Sequence, residues 1–147
     1  MFKKVVLTII PLLLFASFAY ARLSESEMCN KIKAFYIEYA KLSNSIDSYR
    51  GERWKEIIKS NCTPEFAKNN IEDSMQLGYI LNEYDSVDVS SIDVTCSDDC
   101  YKVSFYSNCG QIDGSCPKLK ITLCVTVKDD LIANVEDRNP KQRYVKK

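Results

Sequence analysis

The chain has 147 residues, of which 20 are basic and 20 are acidic, and it contains no histidine. The lack of histidine removes the commonest general base, the usual partner of a catalytic serine and the commonest metal ligand. The balanced charge gives no electrostatic reason to expect nucleic-acid binding. We therefore predict a protein that binds no nucleic acid and has neither a metal site nor a cofactor.

The N-terminus has the three parts of a cleaved secretory signal. Lys3 and Lys4 precede an almost wholly apolar run over residues 5–18, and Ala19-Tyr20-Ala21 supplies a small-x-small cleavage site. The run is short for a membrane span and no second one follows, so no transmembrane segment is predicted in the mature protein. We expect a secreted or periplasmic protein of 126 residues beginning near Arg22, with 18 basic and 20 acidic side chains.

Three helices are predicted in the first half of the mature chain. The first runs from Ser24 to about Ile46, and Ser24 with Glu27 fits a capping box. Its apolar residues recur at the helical period: Met28, Ile32, Phe35, Tyr36, Tyr39 and Leu42. A short second helix covers residues 52–59. The third begins at Thr63, a good N-cap followed by proline, and runs to about residue 76.

After residue 85 the apolar period changes from helical to two, which predicts antiparallel strands with one buried face. Four strands are expected, near residues 92–96, 101–105, 119–127 and 131–135. The predicted core joins one strand face to the first helix through Leu119, Ile121, Leu123, Val125, Val127, Phe35, Tyr39 and Leu42. The sequence thus predicts a single α+β domain over residues 22–137, with N-terminal helices packed on a curved antiparallel sheet of four or more strands. Residues 138–147 are predicted to be a basic flexible tail.

Alignment of the buried faces predicts the two hairpin turns. A three-residue turn over residues 128–130 is favoured over a two-residue Asp129-Asp130 turn. It would pair Val127 with Leu131, Val125 with Ala133 and Leu123 with Val135. A four-residue loop over residues 97–100 is predicted for the first hairpin. It would pair Cys96 with Tyr101, Val94 with Val103 and Ile92 with Phe105.

Four short motifs occur in a characteristic order along the mature chain. They are Phe-Tyr-x-x-Tyr at 35–39, Cys-Thr-Pro-Glu-Phe at 62–66, Tyr-Lys-Val-Ser-Phe at 101–105 and Ile-Thr-Leu-Cys-Val-Thr-Val-Lys at 121–128. This order resembles the small secreted NTF2-like/cystatin-like proteins of the DUF3828 type. The resemblance implies a long helix lying on a curved sheet in a cone-shaped fold. It implies no activity, because proteins of this type lack an assigned one.

The seven cysteines enter an oxidising compartment, where disulfides form and persist. No Cys-x-x-Cys motif is present, so neither a thioredoxin-like site nor a zinc knuckle is predicted. The expected bonds are Cys29–Cys62, Cys96–Cys100 and Cys109–Cys116, with Cys124 left as a free thiol or available to a second molecule. The Cys96–Cys100 bond requires a distorted loop, because the preferred register places Cys96 opposite Tyr101. A nucleophilic role for the odd cysteine is disfavoured, since no histidine can lower its pKa.

The aromatic side chains allow two interpretations. They either fill the core or line a binding pocket between the first helix and the sheet, where folds of this shape are concave. Trp54 is the first candidate for a pocket rim, because it lies on a short element outside the regular core stripe. Tyr36 and Tyr39 are the further binding candidates.

The leading functional hypothesis is a non-catalytic secreted or periplasmic binding module for a partner protein or a small apolar ligand, including a protein-binding inhibitor or an immunity-type factor. One alternative is an enzyme that uses carboxylates and tyrosines in a cone-shaped pocket. Another is a structural component of the cell envelope. A monomer or a homodimer is expected. Two carboxylates facing each other in a dry cleft would favour the enzyme.

Overall fold

The computed structural model describes residues 22–45, 51–72, 80–81, 86–107 and 118–138. Three helices come first: α1 Glu25–Ser43, α2 Glu52–Asn61 and α3 Pro64–Glu72. Four strands follow: β1 Val87–Cys96, β2 Tyr101–Ser107, β3 Leu119–Lys128 and β4 Leu131–Asp137. They form one antiparallel sheet in the order β1-β2-β3-β4. The predicted α+β class is confirmed. Several predictions concern residues outside the described ranges: the signal sequence, the tail beyond residue 138, and the pair Cys109 and Cys116.

Local capping sets where two of the helices begin. The Glu27 backbone N–H donates to Ser24 Oγ at 3.3 Å, and the Ser24 N–H donates to Glu27 Oε2 at 2.8 Å, so the predicted capping box is present. At α3 the Phe66 N–H donates to Thr63 Oγ1 at 3.4 Å, and Pro64 occupies the first helical position. These side chains satisfy amides that a helix start leaves without partners.

The core lies between the inner face of the sheet and α1. Ile121, Leu123 and Val125 of β3 are completely buried. Phe35 and Tyr39 of α1 are buried in the same cluster, and the flanking residues Leu42, Leu119 and Val127 are partly buried against it. The predicted packing of the β3 face against α1 is therefore confirmed.

The turn between β3 and β4 corrects the predicted register. It is the two-residue turn, with Lys128 opposite Leu131 and both Asp129 and Asp130 at positive φ. Such a turn matches the twist of a hairpin, and aspartate tolerates the left-handed region better than most residues. It brings Ile132, in place of Leu131, opposite Val127 and into the core.

A β-bulge explains why Val135 keeps its predicted side of the sheet despite the shorter turn. Between Thr126 and Val127 the pairing jumps from Ile132 to Asn134, so Ala133 is the extra residue. Val135 therefore lies opposite Val125, a pairing that an unbulged two-residue hairpin would not give. Matching of the two faces assumes a regular ladder, and the bulge at Ala133 breaks that regularity.

The first hairpin follows the prediction near its loop and departs from it further away. Cys96 pairs with Tyr101 and Val94 pairs with Val103, as predicted. The Ile92–Phe105 pair is absent from the described ladder, because an irregularity lies between Asp88 and Asp93. Ile92 is nevertheless buried in the core.

Candidate functional site

The three aromatic binding candidates belong to the core. The side chains of Tyr36, Tyr39 and Trp54 are 0%, 2% and 9% exposed. Tyr39 and Trp54 pack with their ring centroids 6.5 Å apart, and the buried Tyr36 hydroxyl donates to the Ile80 carbonyl oxygen at 3.1 Å. The structure thus corrects the placement of Trp54 at a pocket rim, and it buries the further binding candidates Tyr36 and Tyr39 in the core stripe of α1.

The described cysteines form one disulfide, and it differs from the prediction. Cys100 is bonded to Cys124, with their Cα atoms 5.7 Å apart, while Cys29, Cys62 and Cys96 carry free thiols. The Cys96–Cys100 bond, the Cys29–Cys62 bond and the free thiol at Cys124 are therefore corrected. Cys109–Cys116 stays a prediction, because both residues lie outside the described segments.

Strand alternation explains the observed disulfide. Tyr101 faces the core, so the adjacent Cys100 points to the opposite, outer face of the sheet. Cys124 pairs with Lys102 and lies on the same outer face, diagonal to Cys100. Cys96 pairs with Tyr101 and so lies on the inner face. The sheet therefore separates Cys96 from Cys100, although they are only four residues apart in the sequence.

Cys29 and Cys62 are not bonded to each other in the structure. Cys29 lies one helical turn after Glu25, the first residue of α1, and is half-buried. Cys62 ends α2, is 1% exposed and forms an isolated parallel bridge with Ile132 of β4. Their position at helix ends predicts a bond, but both residues carry free thiols in the structure.

Two buried groups that ionise at high pH, the Cys62 thiol and the Tyr36 hydroxyl, make the stability of the fold sensitive to alkaline pH. Burial raises the pKa of the Cys62 thiol from 9.0 to about 12 and raises the pKa of Tyr36 well above its usual value. Because the folded-state pKa is raised, the stabilisation from the neutral thiol is fully present below pH 9 and is lost as the pH rises towards 12.

We expect the ionisation of the Cys62 thiol to lower the free energy of unfolding by about 1.4 kcal/mol per pH unit between pH 9 and pH 12. Urea unfolding between pH 8 and pH 11 measures the effect. Cys62→Ala should flatten the pH dependence, and equal slopes in the two proteins would contradict the assignment to Cys62.

Arg138 lies against the disulfide on the outer face of the sheet. Its Nη2 donates to Asp99 Oδ2 at 3.0 Å and to Cys124 Sγ at 3.3 Å. Candidate metal-ligand atoms of Asp99, Cys100 and Cys124 lie within 4.8 Å of one another. However, both sulfurs are tied in the disulfide and the guanidinium already neutralises the carboxylate, so this cluster is a poor cation site.

The described carboxylates with shifted pKa values behave as paired surface charges. Hydrogen bonds from Lys55, Lys118 and Lys33 hold the pKa values of Glu52, Asp88 and Asp93 below their usual range. A raised pKa is what a carboxyl group needs to act as a proton donor near neutral pH. The pKa values of Glu52, Asp88 and Asp93 are lowered, so these three carboxyl groups are not suited to that role.

A groove of about 580 Å³ lies between the start of α3 and β4 and is here called the α3–β4 groove. Its apolar lining is formed by Pro64, Phe66, Leu131 and Ala133. Polar groups surround this floor: Thr63, Glu65, Asn69, Lys128, Asp129 and Asn134. A mainly apolar floor with a few polar groups is typical of a binding site.

Two backbone features form the groove. The Thr63 N–H donates to the Ile132 carbonyl oxygen at 2.8 Å, which fixes the start of α3 against the outer edge of β4. The bulge at Ala133 bends β4 just beyond that contact. The Thr63-Pro64 pattern predicts a helix start but not the contact of Thr63 with β4, because that contact is tertiary.

β4 is an edge strand, and its hydrogen-bond pattern can be read from the ladder. The Arg138 N–H donates to the Thr122 carbonyl oxygen at 3.3 Å, so this pair is a hydrogen-bonded one. Because hydrogen-bonded and non-hydrogen-bonded pairs alternate, Glu136 and Asn134 also bond to β3, whereas Val135 directs its N–H and C=O away from it. No other described segment hydrogen-bonds to the Val135 backbone.

Comparison with known proteins supports the fold of the chain and assigns neither a family nor a function to it. No family model matches the chain, and no curated protein matches it. A crystal structure of a protein of unknown function from Bacteroides thetaiotaomicron is similar, with a TM-score of 0.51 and 20% identity over 76% of this chain and 90% of that chain. The solution structure of a de novo β-sheet design is similar with a TM-score of 0.50 and 14% identity, over 82% of this chain and 96% of the design. Membership of the DUF3828 type stays a prediction.

Within the described residues, none of the helices combines the length and the apolar character needed to cross a membrane. The Cys100–Cys124 disulfide is compatible with an oxidising, extracellular location.

Proposed function

We propose that this protein is a non-catalytic binding module of the periplasm or the extracellular space, and that it holds an extended segment of a partner protein against β4. The observation that carries the proposal is the outward-facing backbone of Val135 beside the α3–β4 groove. An extended segment can add to such an edge by main-chain hydrogen bonds, while the groove accepts some of its side chains.

The contact between Thr63 and Ile132 supports this mode of binding. The chain at residues 62–63 already lies beside β4 as a short parallel neighbour, bonded to Ile132 and ending where α3 begins. An incoming segment would continue along the edge from Val135. Phe66 and Leu131 provide apolar contacts for alternate side chains of that segment, and Lys128 and Asn134 provide polar contacts at the rim.

The location belongs to the proposal as well. The predicted signal sequence would export the chain, and a disulfide persists in the periplasm or outside the cell. The carboxylates discussed above are ionised and paired, which favours a binding role over acid–base catalysis.

The test begins with selection of peptides from a random library displayed on phage, with the mature chain 22–147 immobilised. Val135→Pro removes the outward N–H and leaves the hydrogen bonds between β3 and β4 in place. One main-chain hydrogen bond contributes about 0.5–1.5 kcal/mol, so with the added steric block we expect selected peptides to bind at least about tenfold more weakly.

Val94→Pro is a matched control on the opposite edge of the sheet. The Ser97 N–H donates to the Cys100 carbonyl oxygen at 3.0 Å, so by alternation Val94 of β1 also directs its N–H away from the neighbouring strand. This variant should retain peptide binding. Thermal unfolding of both variants checks that they fold. Equal binding by wild type and a folded Val135→Pro variant, or loss only in Val94→Pro, would contradict the proposal.

A further inference from the structure

Helix α1 runs antiparallel to β1 and contacts it at well-separated points. At the C-terminal end of α1, Asn44 Nδ2 donates to the Val87 carbonyl oxygen at 2.8 Å and Asn44 Oδ1 accepts from the Val87 N–H at 3.1 Å. Nearer its N-terminal end, Lys33 Nζ lies 3.1 Å from Asp93 Oδ1. These contacts fix which residues of the helix and the strand lie level with each other.

The same alignment gives the relative positions of the free thiols of Cys29 in α1 and Cys96 in β1. Cys29 precedes Lys33 by one helical turn, about 6 Å along the axis. Cys96 follows Asp93 by three residues, about 10 Å along the strand. Cys96 is therefore level with the first turn of α1, and it lies on the inner face of β1, the face on which the helix packs.

A second cleft places Cys96 beside the same turn of α1 independently of this alignment. The cleft, of about 400 Å³, is lined by both Glu25 and Cys96. Glu25 is one helical turn before Cys29 and on the same side of the helix. The position of Cys96 in the cleft beside Glu25 agrees with the estimate from the ion pair of Lys33.

Electrostatics supports the proximity of the groups. Burial, with the charges of Glu25 and Asp93, raises the pKa of Cys29. The pKa of Cys96 is raised by hydrogen bonding to Glu25, by burial and by the charges of Glu25 and Cys29. The two cysteines therefore lie within electrostatic reach of each other, and both are protonated at neutral pH.

We infer that Cys29 and Cys96 form a second disulfide in the oxidised mature protein and join the N-terminal part of α1 to the end of β1. The oxidant is of the disulfide class, such as oxidised glutathione. One thiolate attacks the oxidant, forms a mixed disulfide and releases one thiol; the other thiolate then attacks the protein sulfur and releases the second thiol. Two protons and two electrons leave the cysteine pair, and the oxidant is reduced to two thiols.

This inference does not depend on the proposed peptide-binding function, since Cys29 and Cys96 lie outside the lining of the α3–β4 groove. The bond would hold α1 on the sheet at the end opposite Asn44. It would also fix one wall of the cleft that contains Glu25.

Disulfide mapping of the mature chain, oxidised with glutathione disulfide and alkylated without reduction, tests the inference. Trypsin releases Cys29 in residues 23–31 and Cys124 in residues 121–128. Endoproteinase Asp-N then cuts before Asp93, Asp98 and Asp99, which separates Cys96 in residues 93–97 from Cys100 in residues 99–102. We expect peptide 23–31 linked to 93–97, and peptide 99–102 linked to 121–128.

Single variants provide the control. Cys29→Ser should leave Cys96 open to alkylation in the oxidised protein, whereas Cys62→Ser should leave the linked peptides 23–31 and 93–97 unchanged. Alkylated Cys29 and Cys96 in the oxidised wild type would overturn the inference. A link from either cysteine to Cys100, Cys109, Cys116 or a second molecule would overturn it as well.

Discussion

Replacement of Leu123 by alanine is expected to lower the free energy of unfolding by about 2–5 kcal/mol. Leu123 is completely buried in the middle of β3, opposite Val103 of β2, and belongs to the cluster that contains Phe35 of α1. The substitution loses the transfer free energy of the removed atoms and leaves a cavity between the sheet and α1. Since domains of this size are stable by about 5–15 kcal/mol, the loss would be a large part of the total.

Urea unfolding followed by circular dichroism measures this change. Leu131→Ala is the matched control, because Leu131 lies on the outer face of β4 and is only partly buried. It should cost less than Leu123→Ala and also less than Ile132→Ala, since Ile132 is 1% exposed. A loss below about 1 kcal/mol for Leu123→Ala would show that the core has been placed on the wrong face.

Removal of the disulfide with Cys100→Ala and Cys124→Ala together should destabilise the protein by about 3–4 kcal/mol. The bond joins residues separated by 24 positions, and its loss gives the unfolded chain back the conformational freedom of that loop. The expected fall in melting temperature is of the order of 10 °C. The double variant avoids leaving one unpaired thiol that could exchange with Cys96.

Thermal unfolding without reducing agent measures the effect of the double variant. Ser104→Ala is a control on the same outer face of β2, away from the disulfide, and should change stability little. A melting temperature within a few degrees of the wild type would contradict the assigned bond. Under strong reduction the wild type should lose at least as much stability as the double variant.

The elements that the sequence predicts well are those set by local chemistry and by period. The capping box at Ser24 and the stripe from Met28 to Ala40 act within one helix, so spacing alone identifies α1 and its buried face. The alternation around Leu123 similarly identifies β3 and its core side. The predicted turn failed because a bulge at Ala133 lets the shorter turn keep Val135 in frame, and a bulge leaves no mark in an apolar–polar pattern.

The candidate site was less accessible to sequence reasoning. Side-chain alternation around Tyr101 places Cys100 and Cys124 on the same outer face of the sheet. The direction of the side chains therefore predicts their bond, whereas closeness in the sequence favours the wrong pair, Cys96 and Cys100. The α3–β4 groove is not predictable from the sequence, because it depends on a hydrogen bond between distant segments, from Thr63 to Ile132. The position of Trp54 outside a regular apolar stripe predicts a pocket rim, but packing against Tyr39 buries it.

The measurement that tests the proposed function most directly is amide hydrogen exchange of the mature protein by NMR, free and with a selected peptide. In the free protein the Val135 amide should exchange faster than those of Asn134 and Glu136, because they bond to β3 and it does not. The peptide should then slow exchange at Val135 and leave Val94 on the opposite edge unchanged. Protection that appears at Val94 or around Glu25, with Val135 unaffected, would contradict binding at the edge of β4.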